Sequence, residues 1–109
     1  MDINTISREE LKAKLDAGED FALVMTLHRW AYEAMHIPSS LNFEDPTAGF
    51  GEFAKDQEIV VYCSDEACVA SRFVYRRLVE EGYTNVRRYS GGLSDWQEAG
   101  YPLEGSAAG

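Results

Sequence analysis

Apolar positions along this chain change period several times, and each change marks an element. Leu11 and Leu15 lie four apart behind Ser7-Arg8-Glu9-Glu10. That tetrad fits a capping box, in which the serine hydroxyl and the glutamate carboxylate each satisfy a free backbone N–H. A first helix is expected from there to Gly18. Phe21 to Met25 is an unbroken apolar run of strand length, the pattern of a strand covered on both faces. Arg29 to Met35 suits a short helix carrying Trp30, Tyr32 and Ala34, and Pro38 prevents its continuation. A short strand is expected at Ser40 to Phe43, then a loop over Glu44 to Lys55, which contains Pro46, Gly49 and Gly51. Ile59-Val60-Val61-Tyr62 is the clearest strand, with Cys63 at its carboxyl end. An amphipathic helix follows from Cys68 or Val69 to Glu81. Ala70, Phe73, Val74 and Leu78 are expected on its apolar face and Arg72, Arg76 and Glu80 on its polar one. Gly82 ends that helix, Val86 to Tyr89 form a further strand, Gly91-Gly92 a turn, and Ser94 to Ala99 a last short helix closed by Gly100.

Strands alternating with helices predict an α/β domain with a mainly parallel sheet. Ligands in such sheets bind beyond the carboxyl ends of the strands, where Cys63 lies. At 109 residues the chain fits one domain, assigned to residues 1–104, with Gly105-Ser106-Ala107-Ala108-Gly109 as a flexible tail. The formal charge of −9 argues against nucleic acid and against anionic membranes, since both require clustered Lys and Arg. The first residues lack the basic and apolar runs of a signal peptide, and no apolar stretch is long enough to cross a bilayer, so a cytoplasmic protein is expected. In a reducing compartment its two cysteines call for packing, metal binding or reactivity as their explanation.

A thiol between a buried strand and a helix start gains from free backbone N–H groups and from the helix dipole, both of which favour the thiolate. The loop Cys63-Ser64-Asp65-Glu66-Ala67-Cys68-Val69-Ala70-Ser71 is built mostly of short side chains, so its backbone can curl around one sulfur. Cys68 has three readings: a packed helix residue, a second thiol able to form a disulfide or trisulfide with Cys63, or a metal ligand. The spacing fits structural zinc knuckles poorly, with only His28 and His36 to complete a set, and no metal or other cofactor is expected.

These residues also carry a family resemblance. Ile59 to Cys63, Gly82-Tyr83-Thr84-Asn85-Val86, Tyr89-Ser90-Gly91-Gly92-Leu93-Ser94-Asp95-Trp96 and Ala99 to Glu104 resemble the second half of a single-domain rhodanese, a sulfurtransferase. Ile6 to Leu11 resembles its opening helix, and His36-Ile37-Pro38-Ser39-Ser40-Leu41-Asn42 its His-Ile-Pro-Gly-Ala-x-Asn segment. The resemblance implies a central, mainly parallel five-stranded sheet with helices on both faces. It also implies a nucleophilic Cys63 that takes a sulfane sulfur from a small donor or a persulfidated protein or thiol and passes it to a thiol or cyanide. The backbone amides of Ser64, Asp65, Glu66, Ala67, Cys68, Val69 and Ala70 would form the anion hole. The loop is further similar to a subgroup with Cys-x4-Cys-x2-Ser, which gives Ser71 the helix-start role.

The chain departs from the family at two arginines. Met25-Thr26-Leu27 stands where Asp-x-Arg is usual, and Cys68-Val69-Ala70-Ser71 where Arg-Ser is usual. His28, with Trp30 as an aromatic wall, and Arg72 are candidate pocket residues. Asp65 and Glu66 each oppose an incoming dianion by about 1 kcal/mol or more at intermediate dielectric, so thiosulfate should be a poor donor. A non-catalytic binding or sensing module and a Cys63/Cys68 redox switch are the competing functions. A cysteine phosphatase is disfavoured, because Cys-x5-Arg would place arginine where Val69 stands.

Overall fold

The computed structural model describes residues 3–42, 53–65 and 67–107. The chain runs α1 (Arg8–Asp16), β1 (Ala22–Met25), α2 (Arg29–Ala34), β2 (Leu41–Asn42), β3 (Ile59–Tyr62), α3 (Ala70–Glu80), β4 (Val86–Tyr89) and α4 (Gly92–Glu98). Ser7 caps α1 as its sequence predicts, its Oγ accepting from the Glu10 N–H at 3.1 Å. The other half of the capping box does not form. The Glu10 carboxylate is taken by the Arg87 guanidinium at 2.6 and 3.0 Å, and that bond holds its pKa below the usual carboxylate value.

The sheet has strand order β2-β1-β3-β4 with every pair parallel. Four strands are present among the described residues rather than the five expected. The fifth place, outside β4, is filled by a single parallel bridge between Thr5 and Arg88. Two hydrogen bonds hold it: the Arg88 N–H donates to Asn4 O at 2.8 Å and the Ile6 N–H to Arg88 O at 3.1 Å. Asn4-Thr5-Ile6 is only one apolar residue deep, too short for a strand's alternation to show in sequence.

The register aligns Met25 with Tyr62 and Tyr62 with Tyr89, so β1, β3 and β4 end at one edge. Alternate strand residues feed two cores. Ala22, Val24, Ile59, Val61 and Val86 pack with Val74, Tyr75 and Leu78 of α3, while Leu23, Met25, Val60, Tyr62 and Tyr89 pack with Leu11 of α1 and Trp96 of α4. Burial on both faces explains the unbroken apolar runs of β1 and β3. Each fully buried aliphatic side chain contributes about 1.5–3 kcal/mol, enough to pin the central strand from which the Cys63 loop leaves.

Three expectations need correction. The buried stripe of α3 is Ser71, Val74, Tyr75 and Leu78, one residue round from the one expected, and Phe73 is 61% exposed. Tyr75 takes the inward place because it reaches across to bond the Asn4 N–H at 3.0 Å. The helix itself starts at Ala70, beyond Cys68, because the Cys68 N–H turns back to Asp65 O. Helix α4 starts at Gly92 instead of Ser94. The expected loop over Glu44 to Lys55 falls mostly outside the described residues. The segment read as a flexible tail meets the end of α2, where the N–H groups of Ser106 and Ala107 donate to Glu33 O and Ala34 O at 2.9 and 2.8 Å. Among the described residues no helix is long and apolar enough to cross a membrane.

Candidate active site

Cys63 leaves the carboxyl end of β3 and is 1% exposed. Neighbouring chain segments fasten it on both sides. From β1, the Thr26 N–H and Oγ1 both donate to Tyr62 O, at 3.1 and 3.2 Å. From the start of α4, the Leu93 N–H donates to Cys63 O at 3.0 Å and the Ser94 N–H to Ser64 O at 2.8 Å. These contacts require Gly92: its φ is +64°, and a Cβ there would sit 2.6 Å from Cys63 O and 2.9 Å from Asp65 N. Glycine is therefore needed for space as well as for backbone angle.

The side chain before Cys63 anchors the opposite face. The Tyr62 hydroxyl accepts from the Ile37 N–H at 3.0 Å and lies 2.8 Å from Ser40 Oγ, and burial pushes its pKa up to about 12. His36, next in this support, stacks on Tyr32 at 3.9 Å with Nδ1 2.6 Å from Tyr32 O and pairs its backbone with Glu104. It shapes the turn that precedes β2. Trp96 is core, 1% exposed, donating to Pro102 O at 2.8 Å.

Beyond Ser64 the loop closes on itself. Asp65 is exposed, and its Oδ1 accepts from the Ala67 N–H at 3.0 Å while its carbonyl accepts from the Cys68 N–H at 3.2 Å. This turn brings Cys68 back to Cys63, and the two form a disulfide with a Cα–Cα separation of 6.2 Å, within the span such bonds require. Of the amides expected in the anion hole, those of Ala67 and Cys68 are thus engaged by Asp65 in the disulfide state. Glu66 lies outside the described residues. Val69 precedes α3, and Ala70 opens it.

Arg88 is the residue that sequence reasoning missed. It is 3% exposed; its Nε donates to Ser71 Oγ at 2.8 Å and its Nη2 to Cys68 O at 3.4 Å. A cation from β4 therefore sits behind the cysteine loop and ties its end to the first turn of α3. Ser71, fully buried, is the acceptor that joins them. The available signal was alternation: Arg88 shares a sheet face with Val86, so of the pair Arg87-Arg88 it is the one turned inward.

Arg72, a candidate pocket residue, is exposed on a groove beside the loop that is also lined by Thr26, Val69, Ala70, Phe73 and Arg76. His28 caps the start of α2, accepting through its carbonyl from the Ala31 and Tyr32 N–H groups at 3.0 and 3.1 Å. Both His28 and Trp30 lie on the surface, Trp30 at 73% exposure, so Trp30 does not wall an enclosed pocket.

Residues 7–99 match the Rhodanese-like domain family. The chain belongs to that family. It is 30% identical over 95% of its length to an HTH-type transcriptional regulator of Mycobacterium tuberculosis, of which the match spans 46%. It is 29% identical over 80% of its length to the thiosulfate sulfurtransferase GlpE of Actinobacillus pleuropneumoniae, covering 79% of that protein. Among solved structures, the rhodanese-like domain of an Anabaena protein superposes with a TM-score of 0.84 at 26% identity, over 98% of this chain and 82% of that one. The four-stranded parallel sheet with helices on both faces is accordingly a rhodanese α/β fold.

Proposed function

We propose that this rhodanese-like domain is a sulfurtransferase that carries a sulfane sulfur as a persulfide on Cys63 and hands it to a thiol or cyanide acceptor. The observation that supports this most is the placement of Cys63 at the carboxyl end of the central strand, in a loop pinned from the end of β1, from the start of α4 and from Arg88. Attack by the Cys63 thiolate on a sulfane donor forms the new S–S bond, and the donor departs as its own thiolate or, from thiosulfate, as sulfite. Arg88, which donates to Ser71 Oγ and Cys68 O, sets a positive charge behind the loop in which the thiolate and the anionic persulfide would form. The Cys63–Cys68 bond must first be reduced, so thiol reductant is part of the working cycle. Donors of low charge, such as a small or protein persulfide, suit a loop that carries Asp65 and Glu66.

Intact mass of the reduced chain after exposure to glutathione persulfide tests the reading. One added sulfur on Cys68→Ser, which keeps Cys63 and lacks the second thiol, and none on Cys63→Ser is the expected result; an adduct that survives Cys63→Ser would overturn it. The similarity to a transcriptional regulator favours a second reading, a domain that senses persulfide without turnover. That reading requires the adduct to form but not to pass to any thiol acceptor.

A further inference from the structure

We propose that Cys68 is a resolving thiol that turns the Cys63 persulfide into free sulfide, so that the domain reduces sulfane sulfur as well as relaying it. This rests on the Cys63 persulfide reading and adds the fate of the sulfur. The two cysteines are the only ones in the chain, and they are bonded to one another. That bond is what remains when Cys68 attacks the inner sulfur of a Cys63 persulfide. The turn that delivers Cys68 is self-contained, closed by Asp65 through the Ala67 and Cys68 N–H groups. Its carbonyl is held at the other end by Arg88.

The step balances. The Cys68 thiolate attacks Cys63 Sγ, the Sγ–Sγ bond forms, and the bond from Cys63 Sγ to the terminal sulfur breaks. The electron pair leaves with that sulfur, which takes the proton lost by the Cys68 thiol and departs as hydrosulfide. The sulfane sulfur is reduced to sulfide while the two cysteine sulfurs are oxidised to the disulfide. A dithiol, or two molecules of a monothiol, then reduces the pair. Cys63 is 1% exposed and Cys68 is partly exposed, so the incoming thiol attacks Cys68 Sγ and releases Cys63 first.

The test is a single turnover on the full chain. Reduced protein is loaded with glutathione persulfide, desalted without air, and followed by intact mass and by sulfide measurement. Wild type should lose the added sulfur, end two hydrogens lighter than the reduced chain, and release about one sulfide per chain. Cys68→Ser and Cys68→Ala should each take up one sulfur, keep it, and release almost none. Wild type that holds its sulfur as long as the variants, or variants that release sulfide as fast as wild type, would overturn the proposal while leaving the Cys63 persulfide intact. Failure of all three proteins to take up sulfur would overturn the persulfide reading and this one with it.

Discussion

Arg88 illustrates how one side chain changes the chemistry of a loop that its own sequence neighbours make acidic. Between Cys63 and Ser71 the chain offers two carboxylates and no cation; the cation arrives from β4, seventeen residues after Ser71. Replacing Arg88 with methionine keeps most of the volume but removes the donors to Ser71 Oγ and Cys68 O. Stability should fall by about 1–3 kcal/mol, the cost of leaving buried polar groups without their partner. A purely structural role would end there. If the charge also supports the sulfur anion, the midpoint of Cys63 alkylation against pH, measured on reduced protein, moves upward in Arg88→Met and returns partway in Arg88→Lys. An unmoved midpoint would confine Arg88 to holding the loop. At this scale the sequence marked out the candidate nucleophile Cys63 and its loop because they are contiguous. It hid the cation because contact across the sheet is not contiguity, and an Arg-Arg pair in a strand looks the same whichever member turns inward.

Elements were legible where a run of residues had one unambiguous period. Ser7 caps α1, β3 occupies its apolar run, and α3 ends before Gly82. Reading faltered where apolar residues outnumbered the buried places. In α3 both Phe73 and Tyr75 are large enough to fill the core, and a contact to Asn4, far away in sequence, selects Tyr75. The Gly91-Gly92 turn was readable as a turn, but its role as a clamp depends on how close the active loop passes. That closeness separates two glycines with similar backbone angles. Gly100, at φ +77°, has open space where a Cβ would go; Gly92, at +64°, has the backbone of Cys63 and Asp65 there. Gly100→Ala should therefore cost about 1 kcal/mol, the backbone penalty alone. Gly92→Ala should cost clearly more and slow sulfur uptake on Cys63, because the loop itself must move. Chemical denaturation and single-turnover mass measured on both variants check this, and equal losses would remove the clamp from the account.

On the scale of the whole molecule, charge decides which donors approach easily. The chain carries −9, while Arg88 lies behind the loop and Arg72 and Arg76 line the groove beside it. These two fields act over different ranges. The net charge repels a dianion from afar and is screened by salt, with a Debye length of about 10 Å at 0.1 M ionic strength. The buried guanidinium acts at short range, where little water or salt intervenes. For thiosulfate the long-range part should dominate the encounter, so its second-order rate of sulfur loading on Cys63 should rise as ionic strength is raised from about 0.01 to 0.3 M. A persulfide donor of lower charge should change much less over the same range, and should load faster than thiosulfate at every salt concentration. Stopped reactions quantified by intact mass give both rates. A thiosulfate rate that falls with added salt would mean that the arginines, and not the acidic surface, set the field at the loop mouth. Thiosulfate would then regain its place as a natural donor for this domain.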